Sequence, residues 1–143
     1  MILFDAYAVV ELMRGGPVGR EVRLLGESGP TAVSSLNLAE TVDQLVRVFA
    51  RPINDVLADL AILERGGLDV IPVDGAIATR AGRIRAQHYG SKTCPISMAD
   101  CVAAAMAAAS HADLATSDPD LARVARAHGI PVVPLPDSRG IRP

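Results

Sequence analysis

Five short β-like runs punctuate the chain, at residues 1–4, 31–34, 69–73, 113–116 and 131–135, and longer segments of helical character separate them. The runs have no polar face, the pattern of strands in a parallel sheet covered by helices on both sides. Each of the first three gaps has room for one or two helices, whereas residues 118–128 fit a single helix closed by Gly129. The alternation predicts the α/β class: a three-layer α/β/α domain with a mostly parallel sheet of four or five strands. The domain is expected over residues 1–135, with 136–143 as a weakly ordered tail.

In an open parallel sheet, ligands bind beyond the carboxyl ends of the strands. Asp5 follows the first run, Ser34 and Ser35 the second and Asp74 the third, while Thr116, Ser117 and Asp118 follow the fourth. Carboxylates and hydroxyls therefore collect on one rim.

Each acid also has a purely structural explanation. Asp5 precedes a helical segment that it can cap, and Asp118 stands before Pro119, a strong helix-start pattern. Asp100 follows Ser97 by three positions, the spacing of a capping box. The helix that Asp100 opens, Cys-Val-Ala-Ala-Ala-Met-Ala-Ala-Ala over 101–109, is apolar on every face and so is expected to be buried all round, which makes an unpaired carboxylate at its start costly. Glu40 lies about 200° round its helix from Leu38, opposite the stripe Leu38, Val42, Leu45 and Phe49, which is where a solvated glutamate would also stand. Because helical side chains lean toward the N-terminus, Glu40 can still reach the rim, with Asp43 as an auxiliary on the same side.

Composition narrows the chemistry. Among 143 residues, 14 Lys and Arg face 16 Asp and Glu, a net charge of -2 that advertises neither a polyanion nor a membrane surface. Cys94 and Cys101 lack a second pair or a histidine at metal-ligand spacing, so neither a zinc site nor a disulfide framework is expected. His88, His111 and His128 show no pairing pattern and read as helix or loop residues. The start of the chain is unlike a signal peptide and no run is long enough to span a bilayer, so a cytoplasmic protein is expected. Taken together, Asp5, Glu40, Asp100 and Asp118 come from separate segments that an α/β topology brings to one rim. Their mutual repulsion is best relieved by a hard divalent cation with oxygen ligands, Mg²⁺ or Mn²⁺. Such a cation also bridges an acidic protein to a polyanionic substrate.

These residues resemble those of the PIN-domain nucleases, and specifically the VapC toxins of type II toxin–antitoxin systems. Ile2-Leu3-Phe4-Asp5-Ala6 is similar to the opening strand and first aspartate of that family, and Ser35-Leu36-Asn37-Leu38-Ala39-Glu40 to its serine, asparagine and glutamate segment. Ser97-Met98-Ala99-Asp100-Cys101-Val102-Ala103 resembles the helix start with the third acid, and Leu114-Ala115-Thr116-Ser117-Asp118 the strand end with threonine and the fourth. Tyr7 departs from the pattern, since the family usually carries serine or threonine there. The resemblance implies a homodimer, Mg²⁺- or Mn²⁺-dependent cleavage of RNA, and inhibition by a cognate antitoxin. Asp5, Glu40, Asp100 and Asp118 would be the catalytic and metal-binding set, with Thr116, Ser117 and Asp43 as possible auxiliaries.

Two other readings compete. In a receiver-like signalling domain, Asp74 would accept a phosphoryl group; against this, Phe4 and Ala6 flank Asp5, and no lysine precedes Val133-Pro134. In a catalytically silent PIN-fold binding module, the four acids would serve only as caps.

Overall fold

Leu3 and Phe4 are neighbours on the first strand, β1 (Ile2–Phe4), yet they are buried in different cores because successive strand side chains point to opposite faces. Ala32 and Val33 on β2 (Thr31–Ser34), and Leu114 and Ala115 on β4 (Asp113–Thr116), divide in the same way. A sheet buried on both faces must be sandwiched between helical layers. The computed structural model, which describes residues 1–143, has this three-layer architecture.

β3 (Leu68–Ile71) and β5 (Val132–Pro134) complete the sheet, whose order is β3-β2-β1-β4-β5 with every neighbouring pair parallel. β3 was expected over 69–73, but Pro72 has no amide hydrogen to donate, and the ladder stops at Ile71. From β1 the chain moves outward through β2 and β3, then returns to β4 on the other side of β1. The switch point of the topology lies between β1 and β4, and the ends of these strands carry Asp5 and the segment Thr116–Asp118.

One face is covered by α1 (Ala6–Arg14), α2 (Pro17–Ser28), α3 (Ser35–Asp43) and α4 (Ile53–Arg65). The other face is covered by α5 (Gly75–His88), α6 (Met98–Ser110) and α7 (Pro119–Ala127). α6 is buried on all sides from Cys101 to Ala107, two residues short of the expected stretch, because Ala108 is half-buried and Ala109 is exposed. Gly129, in the left-handed region at φ 70°, follows the cap of α7. Each of the long gaps holds two helices, and α1 and α2 pack so closely that a Cβ at Gly19 would drive into the carbonyl oxygen of Glu11.

The apolar stripe expected to run from Leu38 to Phe49 is interrupted. α3 passes into a π-helical turn over Gln44–Val48, in which the Phe49 amide reaches back to the Gln44 carbonyl at 3.1 Å. The wider turn shifts the register: Leu45 stays buried, whereas Phe49 is exposed beneath the Arg14 guanidinium at 4.3 Å. Residues 136–143 follow β5 along the surface, where Arg142 makes a bidentate pair with Glu21 at 2.7 and 2.9 Å and Tyr7 donates its hydroxyl to the Pro136 carbonyl at 2.9 Å. No helix is long and apolar enough to cross a membrane.

Candidate active site

Three aspartates on the rim are held by the helices they start. Asp5 is the N-cap of α1, its Oδ1 accepting the Ala8 amide at 2.8 Å. Asp118 is the N-cap of α7, its Oδ1 accepting the amides of Asp120 and Leu121 at 2.7 and 2.8 Å. Asp100 closes the capping box of α6: its Oδ2 accepts the Ser97 amide at 3.0 Å while its own amide donates to Ser97 Oγ at 3.0 Å. The structural reading of each acid is therefore realised. It does not exhaust them, because every one of these caps engages a single carboxylate oxygen.

The fourth acid, Glu40, stands on α3 and is half-buried, its Oε1 accepting from Gln44 Nε2 at 3.3 Å. Ser34 caps this helix by accepting the Asn37 amide at 3.0 Å. The neighbouring Ser35 Oγ accepts the Val73 amide at 3.2 Å and so ties the end of β3 to the start of α3.

Electrostatics tie the four together. Burial raises the Asp5 carboxyl from 3.8 to about 7, opposed by the Thr116 hydroxyl and the Ala8 amide and reinforced by the charges of Asp100 and Asp118. Asp100 is raised by burial, opposed by its Ser97 contacts and reinforced by Asp118 and Asp120. Glu40 is raised by burial and by Asp100. None of the four belongs to an ion pair, although six arginine–carboxylate pairs form elsewhere in the molecule. Four mutually repelling acids without a basic partner are a donor set for a hard cation. No three of them are gathered closely enough to hold an ion as they stand, so a hard cation at this rim would take one or two carboxylates and complete its shell with water.

The auxiliaries fall in different places. Thr116 is buried, and its Oγ1 accepts the Asp118 amide at 3.0 Å while it stabilises the ionised form of Asp5, so it joins the two. Ser117 stands beside Tyr7 and moderates the rise that burial gives its phenol. Asp43 raises Glu40, but its own carboxylate is held by Arg47 in an exposed pair at 2.7 to 3.2 Å. Asp74 is the exposed N-cap of α5, accepting the Ile77 amide at 2.8 Å, and it follows the edge strand β3, two strands from β1. That position is not the centre of the sheet.

Three features of the site and its surroundings escaped the sequence reading. Asn37 is wholly buried, its Oδ1 facing the Ser34 hydroxyl while its Nδ2 finds no partner. Tyr7 links the site to residue 136 across the chain, a contact between distant segments that no local pattern encodes. His88 and His128, for which the sequence shows no pairing pattern, meet at 3.0 Å between their Nε2 atoms, at the ends of α5 and α7. A cavity of about 690 Å³ lies at the end of the sheet away from the rim, lined by Thr31 and Leu68 at the starts of β2 and β3.

The family model described as PIN domain matches residues 2–127. No curated protein sequence matches the chain closely enough to count as a relative. Among solved structures, the chain is similar to the VapBC2 complex of Rickettsia felis bound to a promoter DNA fragment (20% identity, 93% of this chain and 98% of that one, TM-score 0.70). It is also similar to VapC20 of Mycobacterium tuberculosis, a toxin that cleaves the sarcin–ricin loop (20% identity, 86% and 94%, TM-score 0.69). A third is the FitAcB structure of Neisseria gonorrhoeae (24% identity, 92% and 96%, TM-score 0.66). At these identities the likeness is one of fold.

Proposed function

Because the chain belongs to the PIN domain family, we propose that it is an endoribonuclease, the toxin of a type II toxin–antitoxin pair, using Mg²⁺ or Mn²⁺ at the four-acid rim. The observation that carries this reading is the charge coupling that links Asp5, Glu40, Asp100 and Asp118 near the switch-point end of the sheet without one basic partner. A divalent cation there would polarise a phosphoryl oxygen and make water a competent nucleophile at neutral pH.

The protein's own contribution is to hold the donors. The oxygens of Asp5, Asp100 and Asp118 that the caps leave over are oriented by rigid helix starts, and Glu40 enters from α3. Thr116 offsets part of the rise that burial gives the Asp5 carboxyl. Hydrolysis forms a bond between the water oxygen and phosphorus and breaks the bond from phosphorus to O3′, leaving a 5′-phosphate and a 3′-hydroxyl.

Toxin–antitoxin complexes are among the proteins of like fold, which supports a protein antitoxin as partner; a homodimer working in the cytoplasm completes the proposal. Incubation with total cellular RNA and Mn²⁺ should yield fragments with 5′-phosphate ends, and the Asp5→Asn protein should yield none. Fragments with 2′,3′-cyclic phosphate ends formed in the presence of chelator would overturn the reading.

A further inference from the structure

A cleft of about 590 Å³ opens on the α5, α6 and α7 side of the molecule, away from the four acids. Its wall is one face of α5: Thr79, Arg80, Arg83 and Gln87 recur at the three- and four-residue spacings that place side chains on one side of a helix. Its floor includes Ala108 of α6, and its far side is His128, at the end of α7. No aspartate or glutamate lines it. Arg80 and Arg83 are exposed and take no part in the six ion pairs that occupy other arginines. Arg80 is close enough to His128 for its charge to oppose protonation of the imidazole. The cleft thus combines unpaired guanidinium groups with the neutral amide donor of Gln87 and with no opposing carboxylate, a lining complementary to phosphate oxygens.

We propose that this cleft is a second phosphate-binding site, an exosite that holds the backbone of the RNA substrate away from the scissile bond. This rests on the ribonuclease reading for the identity of the ligand. Along α6, Ala108 lies eight residues beyond Asp100, about 12 Å at 1.5 Å per residue. A phosphate in the cleft therefore belongs to a nucleotide separated from the cleaved one. Single-strand affinity through backbone charge needs no base contact, in keeping with a chain that carries only two tyrosines, two phenylalanines and no tryptophan for stacking.

The test compares the parent chain with the R80Q/R83Q protein in Ca²⁺ buffer, with circular dichroism to establish that both are folded. Fluorescence anisotropy with labelled single-stranded RNA of about 20 nucleotides should show affinity weakened about 10-fold. The slope of log affinity against log salt should fall by about 1.4, two contacts at about 0.7 each. A trinucleotide too short to leave the rim should bind both proteins alike, and R80K/R83K should recover most of the loss. In parallel, pyrophosphate should move the His128 imidazole proton resonances of the parent and leave those of R80Q/R83Q in place. Equal RNA affinity and salt slope in the two proteins would overturn the exosite. If pyrophosphate shifts His128 but the parent neither binds nor cuts RNA, the ribonuclease reading fails, and with it RNA as the ligand, while an anion site remains. If pyrophosphate leaves His128 unmoved, the cleft does not bind phosphate.

Discussion

The Thr116 hydroxyl accepts the Asp118 amide at 3.0 Å and also stabilises the carboxylate of Asp5, so one buried side chain joins the ends of β1 and β4. In the Thr116→Val protein, of nearly the same shape, the buried acceptor is lost and Asp5 is deprived of a partner. Stability should fall by about 1–3 kcal/mol, measured by urea unfolding. RNA cleavage should fall about 10–100-fold, as is usual when an orienting partner of a ligand is removed, and Thr116→Ser should recover most of both. Unchanged cleavage by Thr116→Val would remove this residue from the site.

The charge on Asp5 should cost stability when no divalent ion is bound. Its pKa is raised from 3.8 to about 7 on folding, so the folded state holds the proton more tightly and stability falls as pH rises between these values. The penalty is absent below the lower value and complete above the upper one, at about 1.4 kcal/mol per pH unit of separation. In chelator, Asp5→Asn should therefore be more stable than the parent at pH 8, with the advantage shrinking toward pH 4. Added Mn²⁺ should raise the melting temperature of the parent at pH 8 and do far less at pH 5, where protons compete for the site. A parent whose stability is flat across this range would show that Asp5 does not titrate in it.

The fold was legible because its strands are short, apolar on both faces and separated by well-signalled helix starts. The runs 31–34 and 113–116 fall where expected, and Ser97, Asp118 and Pro119 mark helix starts by local hydrogen-bond chemistry alone. What stayed hidden depends on residues far apart in the chain. Nothing local to Leu38–Val42 announces a π-turn at Gln44, so Phe49 was placed on the buried stripe. His88 and His128 become neighbours only once α5 and α7 have both packed on α6. Among the aspartates, capping and ligation are not alternatives, because a carboxylate has two oxygens and the cap engages one.

Opposite effects compete at Gly19. Alanine in a helix interior is favoured over glycine by about 1 kcal/mol, but here its Cβ would collide with backbone at Glu11, which has no side-chain freedom with which to yield. Overpacking of this kind costs about 1–3 kcal/mol. Gly19→Ala should lower the urea midpoint, whereas Gly26→Ala in the same helix, with nothing near its Cβ, should raise it. A stabilised Gly19→Ala would mean that α1 and α2 separate readily.

Ser97→Ala removes one half of the capping box on α6 and should cost about 1 kcal/mol. Since the Ser97 contacts also favour the ionised form of Asp100, the variant should need more Mn²⁺ for half-maximal cleavage at neutral pH. A loss of stability without a change in metal requirement would confine Ser97 to the helix.

The division of labour within each aspartate bears on how such a protein can be disarmed. Asparagine keeps an oxygen that can accept the Ala8 amide at the start of α1, and it gives up the negative charge. Aspartate and asparagine codons differ by a single nucleotide, so one point mutation at Asp5 can remove the charge while the start of α1 keeps its cap. If the chain is the toxin proposed above, a cell under pressure from it has that exit at hand, and the inert copy would still present to a partner the surface it had before.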